Sequence, residues 1–293
     1  MSTCGAIIVY MTSPKLAIQT DHGRMYSRRV GGEATVPSIT TIIGMDHVDL
    51  TGWAGYMAAK SLSEDARLAA SISELGRMRS LVRDSATAAE SYRDAAAARG
   101  DRVHNYAEQW TLAELGQPHE LDSARQLLQA HGEQDYAAHF EAWWRDYRVE
   151  PVAAEVTVWN ESIGYAGTID LVAKIGGRDC LVDYKTKTSD RDGFVKRPDD
   201  KVIMQLAAAC KAEERVADAE AGQWEPWPYG ADTMLLAVAL GPTGSRTFMA
   251  PAAAMPDYWA KFYALRRNWE ASYKIARSRA TLVEITPPPQ RQP

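Results

Sequence analysis

The sequence predicts an α/β chain of the α+β kind, with a mixed central sheet flanked by helices and a helical N-terminal half. Three observations carry this. Residues 38–148 are rich in Ala, Leu, Glu and Arg, which favour helix. Three strand-like runs follow between 153 and 186, two of them joined by Gly176-Gly177. A helical stretch then separates these from two further strands and a last helix, an order that places helices against a sheet.

Taken in order, residues 15–29 read as a hairpin, KLAIQT and GRMYSR around Asp21-His22-Gly23. Pro37-Ser38 is a helix-entry signal. Helices are expected over 38–66, 70–83, 86–115, 121–130 and 133–148. A strand at 153–159 leads into the glycine hairpin. Residues 187–198 read as a loop, 199–219 as a helix with Ile203, Leu206, Ala207 and Cys210 on one face, and AGQWEPWPYG as a loop from its Gly and Pro content. MLLAVAL at 234–240 is a buried strand turned back by GPTG, and 256–279 is the last helix. The chain divides into an N-terminal arm (1–35), a helical part (36–150), a core (151–279) and a disordered tail (280–293).

The composition, 46% hydrophobic and 24% charged, is that of a soluble globular chain. No run of about 18 apolar residues is present to span a membrane. The start, MSTCGAIIVYMTSPK, has no basic leader before its apolar run and is a poor signal peptide. Cys4, Cys180 and Cys210 are odd in number and scattered, which suits a reducing cytoplasm and excludes a close-spaced zinc or iron–sulfur site. The net charge of −5 does not advertise nucleic-acid binding, but basic residues cluster locally. These are Arg24, Arg28 and Arg29, then Lys185 through Lys201, then Lys261 through Arg279.

The chemistry concentrates in GTIDLVAKIGGRDCLVDYKTK, beginning at Gly167. Ile169, Leu171, Ala173 and Ile175 alternate with more polar residues, and so do Cys180, Val182 and Tyr184. Gly-Gly supplies a two-residue turn with positive φ at both positions. Ile175 then faces Arg178, and counting back sets Asp170 opposite Asp183. Two like charges in direct register repel, and a divalent cation is the simplest compensation. Lys185 projects from the same face as Asp183. A solvated pair of acids at a sheet edge is the plain alternative. On the 153–159 strand, Val156 and Val158 belong to the buried face, and Glu155, Thr157 and Trp159 to the face of the aspartates. Glu155 is there either an acid supporting the ligands, an occasional ligand itself, or an exposed strand-end residue. Gly100 precedes His104 by one turn, and a mid-helix Gly costs about 1 kcal/mol relative to Ala unless another backbone approaches closely. Gln205 shares a helix face with Lys201, a face able to track a phosphate backbone or simply to meet solvent. His22, His47, His119, His131 and His139 have no comparable setting.

The series Gly100-x-x-x-His104, Glu155, Gly167-x-x-Asp170, Asp183-Tyr184-Lys185 and Gln205 resembles the PD-(D/E)XK nuclease superfamily, and most of all its RecB-type exonuclease branch. VPSITTIIG with Leu50, Trp53 and Ala54 is similar to phage-encoded members. The resemblance spans roughly residues 36–279 and implies a restriction-endonuclease-like core. It implies a metal-dependent DNA exonuclease of recombination, repair or phage DNA processing, in the host cytoplasm if phage-encoded. It also implies Mg²⁺ or Mn²⁺ held by His104, Asp170, Asp183 and the Tyr184 carbonyl. The implied catalytic residues are Asp170, Asp183, Lys185 and Glu155, and the implied DNA contacts are Gln205, Lys201 and Lys187. The partners implied are DNA and a recombination protein such as a single-strand annealing protein. A restriction-like endonuclease and a non-catalytic DNA- or partner-binding relative stand as alternatives. Two departures are visible: Ala209 occupies the place of the branch's usual Gln-x-x-x-Tyr tyrosine, and the chain lacks the four cysteines of iron–sulfur members.

Overall fold

A computed structural model describes residues 14–278 and 282–287. The chain is a mixed α/β structure, with a seven-stranded sheet, a separate three-stranded sheet and a helical N-terminal half. The small sheet holds β1 (Ala17–Thr20), β2 (Gly23–Ser27) and β3 (Ala34–Pro37). The first two strands are the expected hairpin, and β3 adds a strand that the sequence reading did not assign. The expected 38–66 helix is broken into α1 (Ile39–Ile43) and α2 (Thr51–Glu64). Gly44 ends α1, and Asp49 Oδ1 accepts from the Thr51 N–H to start the next helix. Ser38 caps α1 as expected, its Oγ accepting from the Thr41 N–H at 2.9 Å. α3 (Leu68–Ser71), α4 (Leu75–Ala86), α5 (Ala88–Glu114), α6 (Leu121–Ala130) and α7 (Gln134–Asp146) follow.

The large sheet contains β4 (Glu150–Asn160), β5 (Tyr165–Ile175), β6 (Arg178–Thr186), β7 (Glu214–Asp218), β8 (Gln223–Pro226), β9 (Met234–Gly241) and β10 (Gly244–Met249). Its order is β10-β9-β6-β5-β4-β7-β8, antiparallel throughout except for the parallel β6–β9 pair. The expected 199–219 helix ends early: α8 covers Lys201–Cys210, and 214–218 is strand β7. Pairing of Arg215 and Glu214 with Val158 and Trp159 overrides the local helical pattern. The tract expected as a loop supplies β8, an edge strand, where proline is tolerated. α9 (Met255–Ser278) is the last helix. The expected disordered tail lies in part outside the described residues. No helix among the described residues is long and apolar enough to cross a membrane.

Both faces of the sheet are covered. Val103, Phe140 and Trp143 of α5 and α7 pack on Leu171, Val182 and Tyr184. On the opposite face, Val202, Ile203 and Leu206 of α8 pack on Val156, Ile169 and Leu181. α1 and α9 join α8 through Ile42, Met204 and Phe262. The small sheet attaches where Tyr26 and Val36 meet Trp159 and Ala166.

α1 sits against β5 because residue 167 has no side chain. A Cβ there would lie 2.5 Å from Ile39 Cδ1 and 2.9 Å from Cγ1, and Ile39 is itself buried. Gly167→Ala is therefore expected to cost about 1–3 kcal/mol by overpacking. Urea denaturation of Gly167→Ala, Ile39→Ala and the double variant checks this. The double variant should be more stable than the sum of the single effects allows.

Candidate active site

The glycine hairpin forms as the sequence predicts. Gly176 and Gly177 take φ of 59° and 75°, and Ile175 pairs with Arg178. The register runs to Leu171 opposite Val182, one step short of the two aspartates. There the ladder ends, and Asp170 Oδ2 accepts the Tyr184 N–H at 2.7 Å. On the other side of β5, Ala154 pairs with Leu171 and Val156 with Ile169, so Glu155 stands across from Asp170. Glu155, Asp170 and Asp183 thus form one row across three neighbouring strands.

The alternation read from the sequence breaks at this row. Ile169 and Val172 lie in the core under α8, whereas Leu171 and Ala173 lie in the core under α5 and α7. Ile169 therefore does not share a face with Leu171, as regular alternation predicts. The irregularity is shared by the neighbouring strand: Glu155 of β4, across from Asp170, has φ of 48°, a left-handed conformation unfavourable for its type. The irregularity frees Asp170 from both faces and turns it to α5.

Five of the residues singled out in the sequence line one cleft of about 280 Å³: His104, Glu155, Asp170, Lys185 and Gln205. His104 Nδ1 is 3.6 Å from Asp170 Oδ2. Lys185 Nζ contacts Asp183 Oδ2 at 2.5 Å and donates to Gln205 Oε1 at 3.3 Å. Asp183 is 3% exposed, and neither of its oxygens has a hydrogen bond of sound geometry. Gly100 also lines the cleft, and it is the Thr186 hydroxyl, not a backbone, that comes within 3.4 Å of where its Cβ would be. The Tyr184 side chain is buried beneath α7 against Phe140 and Trp143.

The charges sort themselves by burial and partners. Burial pushes the Asp183 carboxyl up to about 6, and Asp170 adds to the rise. Glu155 is held well above its usual range, first by burial and then by the charges of Asp170 and Glu108. Asp170 goes the other way. Burial opposes its charge, but His104, Lys185 and the Tyr184 N–H outweigh that and lower it. His104 rises because Asp170 outweighs its burial, and Lys185 rises because Asp183 and Asp170 outweigh its own.

Other expected contacts go elsewhere. Lys201 Nζ donates to the Asp46 carbonyl and lies 3.6 Å from its carboxylate. Lys187 faces a neighbouring groove. Ala209 is buried in the core under α8, so the position of the missing tyrosine does not open on the cleft. Arg28 is held between Trp159 and Trp224 and pairs with Glu161 and Glu214. Arg24, expected only as part of a basic cluster, and Ser38, expected only as a helix cap, also line the cleft, as do Tyr26 and Thr40, to which the sequence assigns no role. Glu108 follows His104 by one helical turn, a spacing that was legible. Among the described residues, no three His, Cys, Asp or Glu side chains stand together as a ready-made metal cage.

No family model and no curated protein matches the chain. Among solved structures, "Crystal structure of SSO0001" aligns at 15% identity over 60% of this chain and 82% of that chain, with a TM-score of 0.25. A likeness that distant carries no argument about activity.

The raised Asp183 pKa has a stability consequence. Its folded value, about 6, exceeds the ordinary aspartate value of 3.8. Its contribution is therefore fully present below about pH 4 and lost as pH rises to about 6. In EDTA, the stability of Asp183→Asn relative to wild type should improve across that window, by up to ~1.4 kcal/mol per pH unit. It should level off above it. Chemical denaturation at half-unit steps from pH 4 to 8 measures this, and a flat difference would contradict the assignment.

Proposed function

We propose that the chain is a divalent-metal-dependent deoxyribonuclease of the PD-(D/E)XK kind, an exonuclease hydrolysing phosphodiester bonds in DNA. The observation that carries this is the row Glu155, Asp170, Asp183 across β4, β5 and β6, with Lys185 beside it in an open cleft. A structural row of three acids would be expected to be capped by arginines or peptide N–H groups. Here the buried Asp183 has Lys185 as its one charged partner, at 2.5 Å, and no peptide N–H or arginine among the described residues.

The donor chemistry fits a hard ion. Asp170 and Asp183, with His104 and the Tyr184 carbonyl, would hold Mg²⁺ or Mn²⁺, the ion taking over the contact that Lys185 now makes with Asp183. Such an ion supplies Lewis-acid polarisation of the phosphoryl group. The chain supplies the rest. Lys185 Nζ, already directed by Gln205 Oε1, is a donor without an acceptor lone pair, so it serves the oxygen on which charge develops. Burial and the neighbouring Asp170 push Glu155 toward its neutral form, which eases the charge on Asp170 beside it. Arg24 offers a second cation on the cleft wall for an incoming phosphate.

Digestion of end-labelled linear DNA in Mg²⁺ or Mn²⁺ tests the reading. Activity should vanish in EDTA, and Lys185→Ala should lose at least a hundredfold while calorimetric Mn²⁺ binding persists. Millimolar Mn²⁺ should raise the melting temperature of wild type, since binding acts on the native state. Cleavage that survives EDTA, or equal melting with and without Mn²⁺, refutes the proposal. Cutting of closed circular DNA would make the enzyme an endonuclease.

A further inference from the structure

The cleft has a neighbour that the catalytic residues do not use. On the other side of Gly100 lies a groove of about 270 Å³, lined by Tyr92, Arg99, Thr186, Lys187, Lys196 and Arg197. The two share their walls. Along α5, Tyr92, Ala96 and Arg99 face the groove, and Gly100, Asp101 and His104 face the cleft. Along the end of β6, Lys185 faces the cleft, and Thr186 and Lys187 face the groove. The row Tyr92, Ala96, Gly100, His104 repeats every four residues, so it runs along one face of the helix for about 18 Å. Its two middle members are the small ones, and the Thr186 hydroxyl stands against Gly100, where the groove meets the cleft.

The far wall is fixed before any ligand arrives. Ser189 and Val195 form a β-bridge within the 187–200 loop. The Ser189 hydroxyl meets Thr243 Oγ1 at 2.5 Å, Thr243 Oγ1 donates to the Gly193 carbonyl, and Arg246 donates to the Val195 carbonyl. Of the groove's four cations, Arg99 lies 3.6 Å from Glu133 and Arg197 lies 2.6 Å from Asp200. Lys187 and Lys196 have no ion pair among the described residues. Burial and the charge of Lys185 both press on Lys187, with Asp199 the opposing charge, so an anion beside it relieves an existing cost. At the outer end, Tyr92 is 47% exposed and meets Trp53 edge to face at 5.9 Å.

We propose that this groove holds a single polynucleotide strand running to or from the cleft, its phosphates on Lys187 and Lys196 and a base stacked on Tyr92. A cationic groove with an exposed ring is the arrangement that binds single strands. Inside a duplex each base face is covered by its neighbours, whereas a single strand offers its faces to a ring. The proposal rests on the nuclease reading of the cleft and assigns the strand form of its substrate.

Fluorescence anisotropy in EDTA tests it without hydrolysis, using a labelled 12-nucleotide thymidine oligomer and a 12-base-pair duplex. The oligomer should bind at least tenfold more tightly than the duplex. Lys187→Ala with Lys196→Ala should flatten the slope of log affinity against log salt by about 1.4, the loss of two single-strand phosphate contacts. Tyr92→Ala should weaken binding about 5- to 160-fold and leave that slope unchanged. Melting curves check that each variant folds. Lys196→Glu, at an exposed position, replaces the double variant if the Lys187 change unfolds the chain, and it should flatten the slope by at least 0.7. Duplex bound as tightly as the oligomer, or a wild-type slope in the lysine variants, overturns the proposal. DNA hydrolysis with unaltered binding in the groove variants sinks this inference alone. Groove-dependent strand binding without any hydrolysis sinks the nuclease reading and leaves the groove standing.

Discussion

The hydrogen bond from the Tyr184 N–H to Asp170 is the contact on which the site depends. It takes the place of the next rung in the β5–β6 ladder, so the two strands part where the acids are. It adds to the pull of His104 and Lys185, which do most to keep Asp170 charged among three neighbouring carboxyls. Like charges on adjacent strands cannot all ionise at ordinary cost. Asp170, with a peptide donor and an imidazole beside it, stays ionised. Glu155 and Asp183, buried on either side, are pushed toward the neutral form. The row therefore holds a graded set of acids, of which Glu155 and Asp170 line the cleft.

The scaffold around this row is made of packed elements rather than free loops. α5 buries Val103, Tyr106 and Ala107 in the main core, and the same turns present Gly100 and His104 to the cleft. Ile39 fills the space left at Gly167, which brings Ser38 and Thr40 to the opposite wall. The small sheet contributes Arg24 and Tyr26, whose hydroxyl meets Thr168 Oγ1 at 2.9 Å. Arg28, clamped by two tryptophans and two glutamates, ties that sheet to β4, β7 and β8. Side chains held in this way keep their geometry at little cost when a substrate arrives.

Two positions that the resemblance marks for DNA contact are spent on structure. Lys201 holds Asp46, and Asp46 also receives Lys261 from α9, so the lysine anchors the segment between α1 and α2. Ala209 is a small residue in a tight core where a tyrosine ring has no room. The cationic surface near the cleft instead comes from the end of β6 and the loop after it.

The sequence determined the parts of this protein that depend on local pattern. The Gly-Gly turn fixed the β5–β6 register, the helix signals placed α5, α6 and α9, and one-turn spacing set Gly100 with His104. The buried run at 234–240 marked β9. Tertiary structure decided what local pattern does not encode. The alternation of β5 breaks at Asp170, opposite the left-handed Glu155 of β4, so the face of Ile169 was not readable from period two. β7 and β8 exist because an edge of β4 was open for pairing, which outweighs weak propensity in so short a stretch. The gathering of Arg24, Ser38, His104, Glu155, Asp170 and Lys185 spans more than 160 positions of sequence. No spacing rule reaches that far, because such a contact is set by how whole elements pack.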